Sequence, residues 1–415
     1  MTRDEALALD RADPLGPLRD QFELPAGVIY LDGNSLGVLP KTTAARVQQV
    51  VTHEWGRDLI RSWNSAGWID LPQRVGNKIA RLVGAGAGEL VVADSTSVNL
   101  FKVLSAALNI VAADAPQRKV ILSERSNFPT DLYIAEALAR ERGFRLMLTT
   151  AEELPAGLGP DTAILMLTQV NYRSGRIHDM AALSQAAHAS GALTVWDLAH
   201  SAGALPVDLH RDGADFAVGC GYKYLNGGPG APAFVWAHPR HAERFWQPLA
   251  GWMGHAAPFD FTPGYRPAAG ISRYLCGTPA VLSLAALECG VDSVLAAEPY
   301  GGMAALRAKS LALTRLFAAR AQALCPELRL ASPREDSQRG SQVCLAHDEM
   351  AYPVIQALIA RGVIGDFRAP DILRFGFTPL YLRHVDAWDA AEHLHAVISG
   401  GEWRRAEFMK RQAVT

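Results

Sequence analysis

The sequence contains little cysteine, with five residues in 415, and they are scattered, odd in number and never spaced as CxxC. Neither a disulfide framework nor a zinc site is indicated, and buried thiols in a reducing compartment are expected. The net charge of −2 gives no reason to expect nucleic acid or an anionic membrane as a partner. We find no unbroken apolar run near the roughly 18 residues of a membrane span, and no basic stretch followed by an apolar one at the start. These absences predict a soluble, cytoplasmic protein.

The length of the chain predicts more than one domain. A chain of 415 residues is longer than one hydrophobic core usually supports, and 49% hydrophobic residues allow a large core. Internal repeats and low-complexity segments are both lacking. We predict an N-terminal segment at 1–27 that packs on the smaller unit, a large ligand-binding domain at 28–290 and a small C-terminal domain at 291–415.

From about residue 90, short β-rich runs alternate with longer helical patterns. The runs are LVVAD (90–94), KVILSE (119–124), RLMLT (145–149), AILMLTQV (163–170), LTVWDLA (193–199), FAVGC (216–220) and AFVWA (233–237). Most are continuous rather than alternating, as expected for strands covered on both faces. The order predicts an α/β fold with a mostly parallel mixed sheet flanked by helices, followed by a smaller α+β unit. In such sheets the ligand lies beyond the carboxyl ends of the strands.

Helix ends are also readable in the sequence. TDLYIAEALARERG is expected to begin with Thr130 or Asp131 as N-cap and to end at Gly143, and HDMAALSQAAHASG to run from Asp179 to Gly191. The glycine-rich VGAGAGE (83–89) resembles a dinucleotide-binding loop. Its glycines follow a helical pattern and precede a strand, which is the wrong order, so we expect a plain turn.

Two charged side chains follow neighbouring predicted strands. Asp197 ends LTVWD, where a carboxylate is costly unless it is paired. A pyridinium nitrogen would keep it ionised, and a helix cap or surface turn is the alternative. Lys223, in CGYKYLNGG, follows the next strand, where a buried lysine is a usable imine former and an exposed loop lysine is the alternative. Together they indicate a pyridoxal phosphate enzyme whose cofactor forms a Schiff base with Lys223.

Other strand ends offer further cofactor contacts. The Ser-Thr-Ser run 95–97 lies between the strand LVVAD and an apolar helix, where its hydroxyls and the helix N-terminus suit a phosphate. A plain N-cap is the alternative, and it is compatible with an anion site. Phe128 is placed to stack on a pyridine ring, unless SNFPTD is only a β-turn around Pro129. Thr168, near the end of AILMLTQV, is placed to reach the ring hydroxyl, and a hydrogen-bonded strand-end threonine without contact to a ligand is the alternative.

Two features point toward a substrate. Arg374 is a lone cation in the apolar run ILRFGFTPLY, and its bidentate fork suits an α-carboxylate, with a structural ion pair as the alternative. Trp63 and Trp68, in RSWNSAGW, lie outside any clear helical stripe. They suggest an aromatic ligand or a subunit contact, and a place in the core is the alternative.

These segments together resemble the kynureninase family within the fold-type I pyridoxal phosphate enzymes. The resemblance runs from about residue 28 to 385 and rests on YLDGNSLG (30–37), RSWNSAGW, STSVNLFK (95–102), SNFPTDLYIA, WDLAHSAGA (196–204), GCGYKYLNGGPG (219–230), GWMGH (251–255), YLCGTP (274–279) and ILRFGFTPLY. It implies a homodimer that hydrolyses L-kynurenine to anthranilate and L-alanine in tryptophan catabolism. It leaves the 3-hydroxy derivative open as an alternative substrate.

The resemblance also implies roles for individual residues. Lys223 would be the Schiff-base residue, with Asp197 on the pyridine nitrogen, His200 beside it, and Tyr222 on the phosphate and in proton transfer. Further cofactor contacts would be Thr96, Ser97, Phe128, Pro129, Thr130, Asp131 and Thr168, with Trp252 and Thr278 delivered to the neighbouring subunit's phosphate. Some relatives carry Leu-Thr in place of Thr96-Ser97 and Asn in place of Thr278. The substrate would meet Arg374, Trp63 and Asn34.

Other enzymes on the same scaffold are the competing interpretations. A cysteine desulfurase or selenocysteine lyase needs a mobile nucleophilic cysteine, whereas Cys276 and Cys344 lie in strand-like or helix-edge patterns and Cys220 inside a predicted strand. An aminotransferase would form pyridoxamine and depend on a keto acid. A catalytically dead scaffold has no reason to keep a buried lysine beside a buried aspartate.

Overall fold

The computed structural model describes residues 1–244 and 247–412. Its helices are α1 Arg3–Ala12, α2 Lys41–Gln49, α3 Ser62–Ser65, α4 Leu71–Val83, α5 Thr96–Asp114, α6 Pro129–Arg142, α7 Leu154–Gly157, α8 Met180–Ser190, α9 Pro239–Ala242, α10 Val281–Leu295, α11 Gly302–Leu324, α12 Ala351–Ala360, α13 His384–Ser399 and α14 Ala406–Met409. Its strands are β1 Ile29–Tyr30, β2 Leu90–Val92, β3 Val120–Glu124, β4 Arg145–Thr149, β5 Thr162–Thr168, β6 Leu193–Asp197, β7 Phe216–Gly219, β8 Phe234–Ala237, β9 Arg329–Leu330, β10 Gln342–Ala346, β11 Val363–Ile364, β12 Asp366–Arg368 and β13 Ile372–Gly376.

The central sheet has seven strands in the order β2-β8-β7-β6-β5-β3-β4. All seven runs predicted from the sequence form these strands. Only β8 is reversed, since it pairs antiparallel with both of its neighbours. The prediction of a mostly parallel mixed sheet is therefore confirmed.

Both faces of the sheet are covered, which explains the continuous apolar runs. Alternate residues of β5 enter opposite cores: Leu165 and Leu167 join one cluster, and Ile164 and Met166 join the other. Helices α5 and α6 supply the second cluster, while α4, α8 and α10 supply the first. A strand with two buried faces has no polar face, so its sequence does not alternate.

Helix α5 forms the centre of one of these layers. Ser95 caps it by accepting a hydrogen bond from the Val98 N–H at 3.3 Å. Among the described residues it is the one helix long and apolar enough to cross a membrane, and 61% of that stretch is buried inside the fold. Its apolar residues pack on the central sheet, so it is a core helix of this domain.

The C-terminal unit contains a four-stranded sheet in the order β12-β13-β10-β9. The start of the chain also lies here, because α1 packs along α13 with Arg3 paired to Asp389 and Asp10 to His384. Strand β1 pairs in parallel with β11. Residues 29 and 30 therefore join the C-terminal unit, although the boundaries predicted from the sequence place them in the large domain.

Three of the four helix ends predicted from the sequence agree with the structure, since Gly143 is the C-cap of α6, Gly191 is the C-cap of α8 and Asp179 is the N-cap of α8. Asp179 caps α8 by accepting from the Ala182 N–H at 3.0 Å, and VGAGAGE is the turn between α4 and β2. The predicted N-cap of α6 is wrong, because the helix begins at Pro129 and Phe128 is its cap residue. Proline is favoured at the first helical position, where its missing N–H costs nothing, and this outweighs the capping side chains that follow.

Candidate active site

The carboxyl ends of three adjacent parallel strands meet at one pocket. Thr168 ends β5 directly beside Asp197, which ends β6, and Asp197 lies opposite Val218 of β7. The N-termini of α5 and α6 close the other sides. Ten of the thirteen predicted cofactor residues line it: Thr96, Ser97, Phe128, Thr130, Asp131, Thr168, Asp197, His200, Tyr222 and Lys223.

Lys223 lies next to a histidine in this pocket. Its Nζ is 3.1 Å from His200 Nε2. Burial, together with the charge of Lys223, lowers the pKa of His200 well below its ordinary value. The imidazole is therefore neutral, and Nε2 accepts a hydrogen bond from the lysine ammonium. His200 Nδ1 is buried and makes no hydrogen bond within the described part of the chain.

Asp197 is a buried carboxyl group whose ionised form needs a nearby positive charge to stabilise it. Its Oδ1 accepts from the Ala199 N–H at 2.8 Å. Burial raises its pKa, and the charge of Lys223 acts in the opposite direction. Burial and the neighbouring Asp197 raise the pKa of Asp131 well above its ordinary range. A protonated ring nitrogen would stabilise the ionised form of this carboxyl pair.

The loop that carries Lys223 packs closely against the backbone of Gly37. The Gly37 N–H donates to the Tyr222 carbonyl at 2.8 Å. A Cβ at position 37 would collide with the Lys223 carbonyl oxygen, so only glycine permits this approach. Burial raises the pKa of Tyr222 to about 12, which keeps its phenol protonated at neutral pH. The lysine Nζ is 5.6 Å from the centre of the Tyr222 ring.

The pocket fits pyridoxal phosphate on three counts. The N-terminus of the 19-residue helix α5, with the Thr96 and Ser97 hydroxyls, suits the phosphate. Asp197 suits the ring nitrogen. Phe128 lines the pocket and is 42% exposed, so an aromatic ring is available there to pack on a planar ligand. It packs at right angles to Tyr172, with 5.2 Å between ring centroids.

Three predicted cofactor residues lie outside this lining. Pro129 starts α6 at the edge of the pocket. Thr278 lines an adjacent cavity, which also contacts Tyr222 and Ser95. Trp252 stacks on Phe261, with 6.4 Å between ring centroids. The contact of Thr278 and Trp252 with a partner subunit's cofactor stays a prediction, and so does the contact of Pro129 with the cofactor.

Arg374 lies in a buried ion pair, the alternative that the sequence left open. The residue is 1% exposed, and its Nε donates to Asp366 Oδ1 at 2.8 Å. Its Nη1 donates to the Tyr172 carbonyl at 2.9 Å, and its Nη2 to Ser35 Oγ at 2.8 Å. The positive charge of Arg374 still reaches the pocket, because it contributes to the lowered pKa of His200. Its role in substrate binding stays a prediction.

Trp63 and Asn34, the other predicted substrate residues, do not line the Lys223 pocket. Trp63 belongs to the short helix α3 and packs on Trp252 and Trp68, each 6.3 Å away between ring centroids. The sequence showed no helical pattern there because α3 has only four residues. Asn34 is fully buried against Gly376, and both of its side-chain polar atoms lack a hydrogen bond within the described residues.

Three lining residues were missed: Tyr172, Ala199 and Cys220. Cys220 follows β7 rather than lying inside the strand, so the rule that singled out Thr168 would have found it. Its Sγ lies 3.6 Å from the Ala199 carbonyl, and burial raises its pKa. Tyr172 comes four residues after the end of β5, beyond the reach of a strand-end rule.

Comparisons with known proteins agree with this geometry. Residues 306–394 match the model of a kynureninase C-terminal domain. The chain is 56% identical over 419 residues to the kynureninase of Pseudomonas fluorescens, with 100% of each chain covered. A cysteine desulfurase from Thermococcus onnurineus has a TM-score of 0.79 at 18% identity, covering 92% of this chain and 98% of that one. A lysine-to-alanine mutant of C-DES, with glycine covalently linked to its pyridoxal phosphate cofactor, has a TM-score of 0.77 at 17% identity and covers 91% and 98%. At such identities these two structures establish the fold alone.

Proposed function

The chain belongs to the kynureninase family, and from that premise we propose how the Lys223 pocket performs the family's reaction. The protein is a pyridoxal phosphate enzyme that hydrolyses the Cβ–Cγ bond of L-kynurenine and releases anthranilate and L-alanine. The observation that supports this site most strongly is the convergence of Lys223, Asp197 and His200, with Lys223 Nζ 3.1 Å from His200 Nε2.

Each part of the cofactor has a group in the pocket to hold it. Lys223 would bind it covalently, Asp197 would pair with the ring nitrogen, and Thr96 and Ser97 at the α5 N-terminus would hold the phosphate. Phe128 would cover one face of the ring. When bound, pyridoxal phosphate supplies an electron-accepting ring that stabilises negative charge on the substrate carbon next to the amine.

Lys223 is the base for the first proton transfer. When it does not hold the cofactor, its Nζ would remove the proton at the substrate Cα. The neutral His200 accepts a hydrogen bond from this nitrogen and orients it without adding a second positive charge. The negative charge of Asp197 would keep a ring nitrogen bound beside it protonated.

Tyr222 is the group best placed for the hydrolytic step. The γ-carbonyl carbon of kynurenine must gain a water oxygen while the electron pair of the Cβ–Cγ bond passes to Cβ. A phenol with a pKa of about 12 is protonated at rest. It would therefore give its proton to the γ-carbonyl oxygen as the water oxygen bonds to the carbon, and as phenolate it would take a proton back from that water. We assign Tyr222 to this transfer because it lines the pocket next to Lys223.

The cysteines give little support to the desulfurase alternative, which requires a nucleophilic thiol near the substrate. Cys220 is the one cysteine among the described residues that lines the Lys223 pocket, and burial raises its pKa, which disfavours the nucleophilic thiolate. Cys344 lies inside β10, where burial raises its pKa to about 11. The cysteine desulfurase matches are fold matches at 18% and 19% identity, whereas the kynureninase relative is 56% identical.

We further propose that the protein works as a homodimer in the cytoplasm. Exposed apolar side chains cluster on two segments: Trp55, Leu59 and Ile60, which is 75% exposed, and Phe259 with Phe261, which is 77% exposed. A second copy covering them would bury this area and place Trp252, which stacks on Phe261, near the partner's phosphate. All five cysteines are free, as suits a reducing compartment.

The direct test supplies L-kynurenine to purified protein loaded with pyridoxal phosphate. Anthranilate is followed by its fluorescence and alanine by a coupled assay, and a parallel reaction with L-cysteine is assayed for sulfide. We expect equimolar anthranilate and alanine, and no sulfide. A protein that holds the cofactor but releases no anthranilate would contradict the assignment.

A further inference from the structure

Two arginines and an aspartate share one face of the small sheet. Strand β12 pairs antiparallel with β13, and Asp366 lies directly opposite Arg374. Arg368 is two residues beyond Asp366 on the same strand, so the period of two places both side chains on the same face. This face contacts Ser35 and the Tyr172 carbonyl beside the Lys223 pocket.

A single carboxylate serves both arginines. Asp366 Oδ1 accepts from Arg374 Nε at 2.8 Å, and Oδ2 accepts from Arg374 Nη2 and, at 2.6 Å, from Arg368 Nη2. Ser35 Oγ donates to the same Oδ2 at 2.6 Å and accepts from Arg374 Nη2 at 2.8 Å and Arg368 Nη2 at 3.1 Å. Arg374 thus binds both carboxylate oxygens of Asp366 through two nitrogens, whereas Arg368 binds only one of these oxygens through a single nitrogen.

The cluster holds more positive than negative charge. Burial opposes ionisation of Asp366, but Arg374 and Arg368 hold its pKa below the ordinary value. Burial, and then the charge of Asp366, raises the pKa of the neighbouring Asp32 to about 8, so Asp32 is mostly protonated at neutral pH. One positive charge is left without a counter-charge among these four residues, and a partly buried charge favours an incoming anion.

The unmatched guanidinium is that of Arg368. Its Nε is buried and makes no hydrogen bond within residues 1–244 and 247–412. The residue is half-buried. Burial and the charges of Lys223 and Arg374 lower the pKa of His200 most, and the charge of Arg368 lowers it further. Arg368 shares Ser35 Oγ with Arg374, whose Nη1 donates to the carbonyl of Tyr172, a residue that lines the Lys223 pocket. Arg368 therefore belongs to a cluster that adjoins this pocket.

We propose that Arg368 is a second carboxylate-binding residue, which pairs with the α-carboxylate of the amino-acid substrate and fixes its orientation beside Arg374. This rests on the proposed function, because the substrate must be an amino acid. Arg374 alone is already paired with Asp366, so a substrate carboxylate next to it would also meet that aspartate. The Arg368 guanidinium supplies the missing charge and an unused N–H donor.

The test compares Arg368→Gln and Arg368→Lys with a matched control, Arg361→Gln. Arg361 is an arginine of similar exposure in the same unit, and it pairs with Glu402 away from the site. Loss of a charge-assisted hydrogen bond to substrate should raise the KM for L-kynurenine roughly 10- to 100-fold in Arg368→Gln. The kcat should change by less than about threefold, because this contact holds the carboxylate equally in the ground and transition states. Lysine keeps the charge and loses the fork, so we expect an intermediate KM.

A second readout separates carboxylate binding from a structural role. L-alanine and L-alaninamide are titrated into the loaded proteins, and the visible spectrum of the cofactor reports binding. Wild type and Arg361→Gln should prefer L-alanine, and Arg368→Gln should lose most of that preference. Thermal unfolding midpoints show whether each variant is folded. If Arg368→Gln is unfolded, the KM and the alanine preference of Arg368→Lys test the role of Arg368 instead.

The outcomes separate this inference from the proposed function. A wild type that cleaves kynurenine, beside an Arg368→Gln or Arg368→Lys protein with unchanged KM and unchanged alanine preference, would overturn the role of Arg368 and leave the function standing. A wild type that cleaves no kynurenine would overturn the function. The comparison of alanine with alaninamide would then still test Arg368 by itself.

Discussion

Lys223 Nζ and His200 Nε2 lie 3.1 Å apart, although the residues are 23 positions apart in the sequence. The contact exists because β6 and β7 run in parallel, so the segments that follow them leave the sheet at the same edge. Burial and the lysine charge together keep the histidine neutral, and the lysine therefore faces an acceptor rather than a second cation. Four predictions follow from this pair and from the groups around it.

Replacing Lys223 with alanine should remove turnover. The substitution deletes both the covalent anchor and the base for the Cα proton, and general bases alone contribute roughly 10²–10⁴-fold. We expect anthranilate formation to fall by more than about 10³-fold and the visible cofactor band to change. Lys119→Ala is the control, since that lysine contacts the Phe144 ring far from the pocket. Near-normal activity in the Lys223→Ala protein would reject the site.

Replacing Asp197 with asparagine should preserve cofactor binding and abolish most catalysis. The side chain keeps its size but no longer holds a proton on the ring nitrogen. Loss of such an electrostatic contact costs on the order of 10²–10³ in kcat. Asp179→Asn is a matched control, because asparagine caps α8 equally well. Full activity in Asp197→Asn would show that its charge is not used.

The buried histidine should make the apo-protein sensitive to mild acid. Its pKa is lowered in the folded state, so its contribution to stability is present above the unfolded value of about 6.5 and is lost as the pH falls below it. The loss approaches about 1.4 kcal/mol per pH unit. We expect the free energy of unfolding in urea to fall less steeply below about pH 6.5 in His200→Asn than in wild type.

Exposed His53, replaced in the same way, serves as the control for that experiment. Its replacement should leave the pH dependence of unfolding unchanged. Parallel curves for wild type and His200→Asn would show that the folded state accepts the proton, contrary to the account given for His200.

Mixing two inactive variants should restore activity if each site is shared between subunits. Lys223→Ala and Trp252→Ala chains, combined and allowed to exchange, form mixed dimers with one intact site, which gives about a quarter of the wild-type activity. Lys223→Ala mixed with Asp197→Asn should recover nothing, because both defects lie on the same side of the interface. If the first mixture recovers no activity, Trp252 either acts in the active site of its own subunit or does not contribute to an active site.

The sequence predicted the strands and the Asp197–Lys223 pair because both depend on local pattern. A doubly buried strand is apolar throughout, and parallel strands bring their carboxyl ends to one edge. The N-cap of α6 was missed because Pro129 starts the helix ahead of the capping residues. Tyr172 was missed because it lies in the irregular segment after β5, whose path no periodicity encodes.

The partners of Arg374 were equally hidden. Its ion pair with Asp366 depends on the cross-strand register of β12 and β13, and its bond to Ser35 joins residues 339 positions apart. The aromatic cluster around Trp252 was hidden as well, because its contacts with Trp63 and with the exposed Phe261 form only once the chain is folded.

The most direct measurement of the central claim is to identify the lysine that holds the cofactor. The loaded protein is treated with sodium borohydride, which makes the lysine–cofactor bond permanent, and its peptides are mapped by mass spectrometry. We predict a single modified residue, Lys223. Lys102, whose fully buried ammonium donates to the Tyr274 carbonyl at 2.6 Å, is the informative competitor. Modification of Lys102 or any other lysine, with Lys223 untouched, would contradict the account.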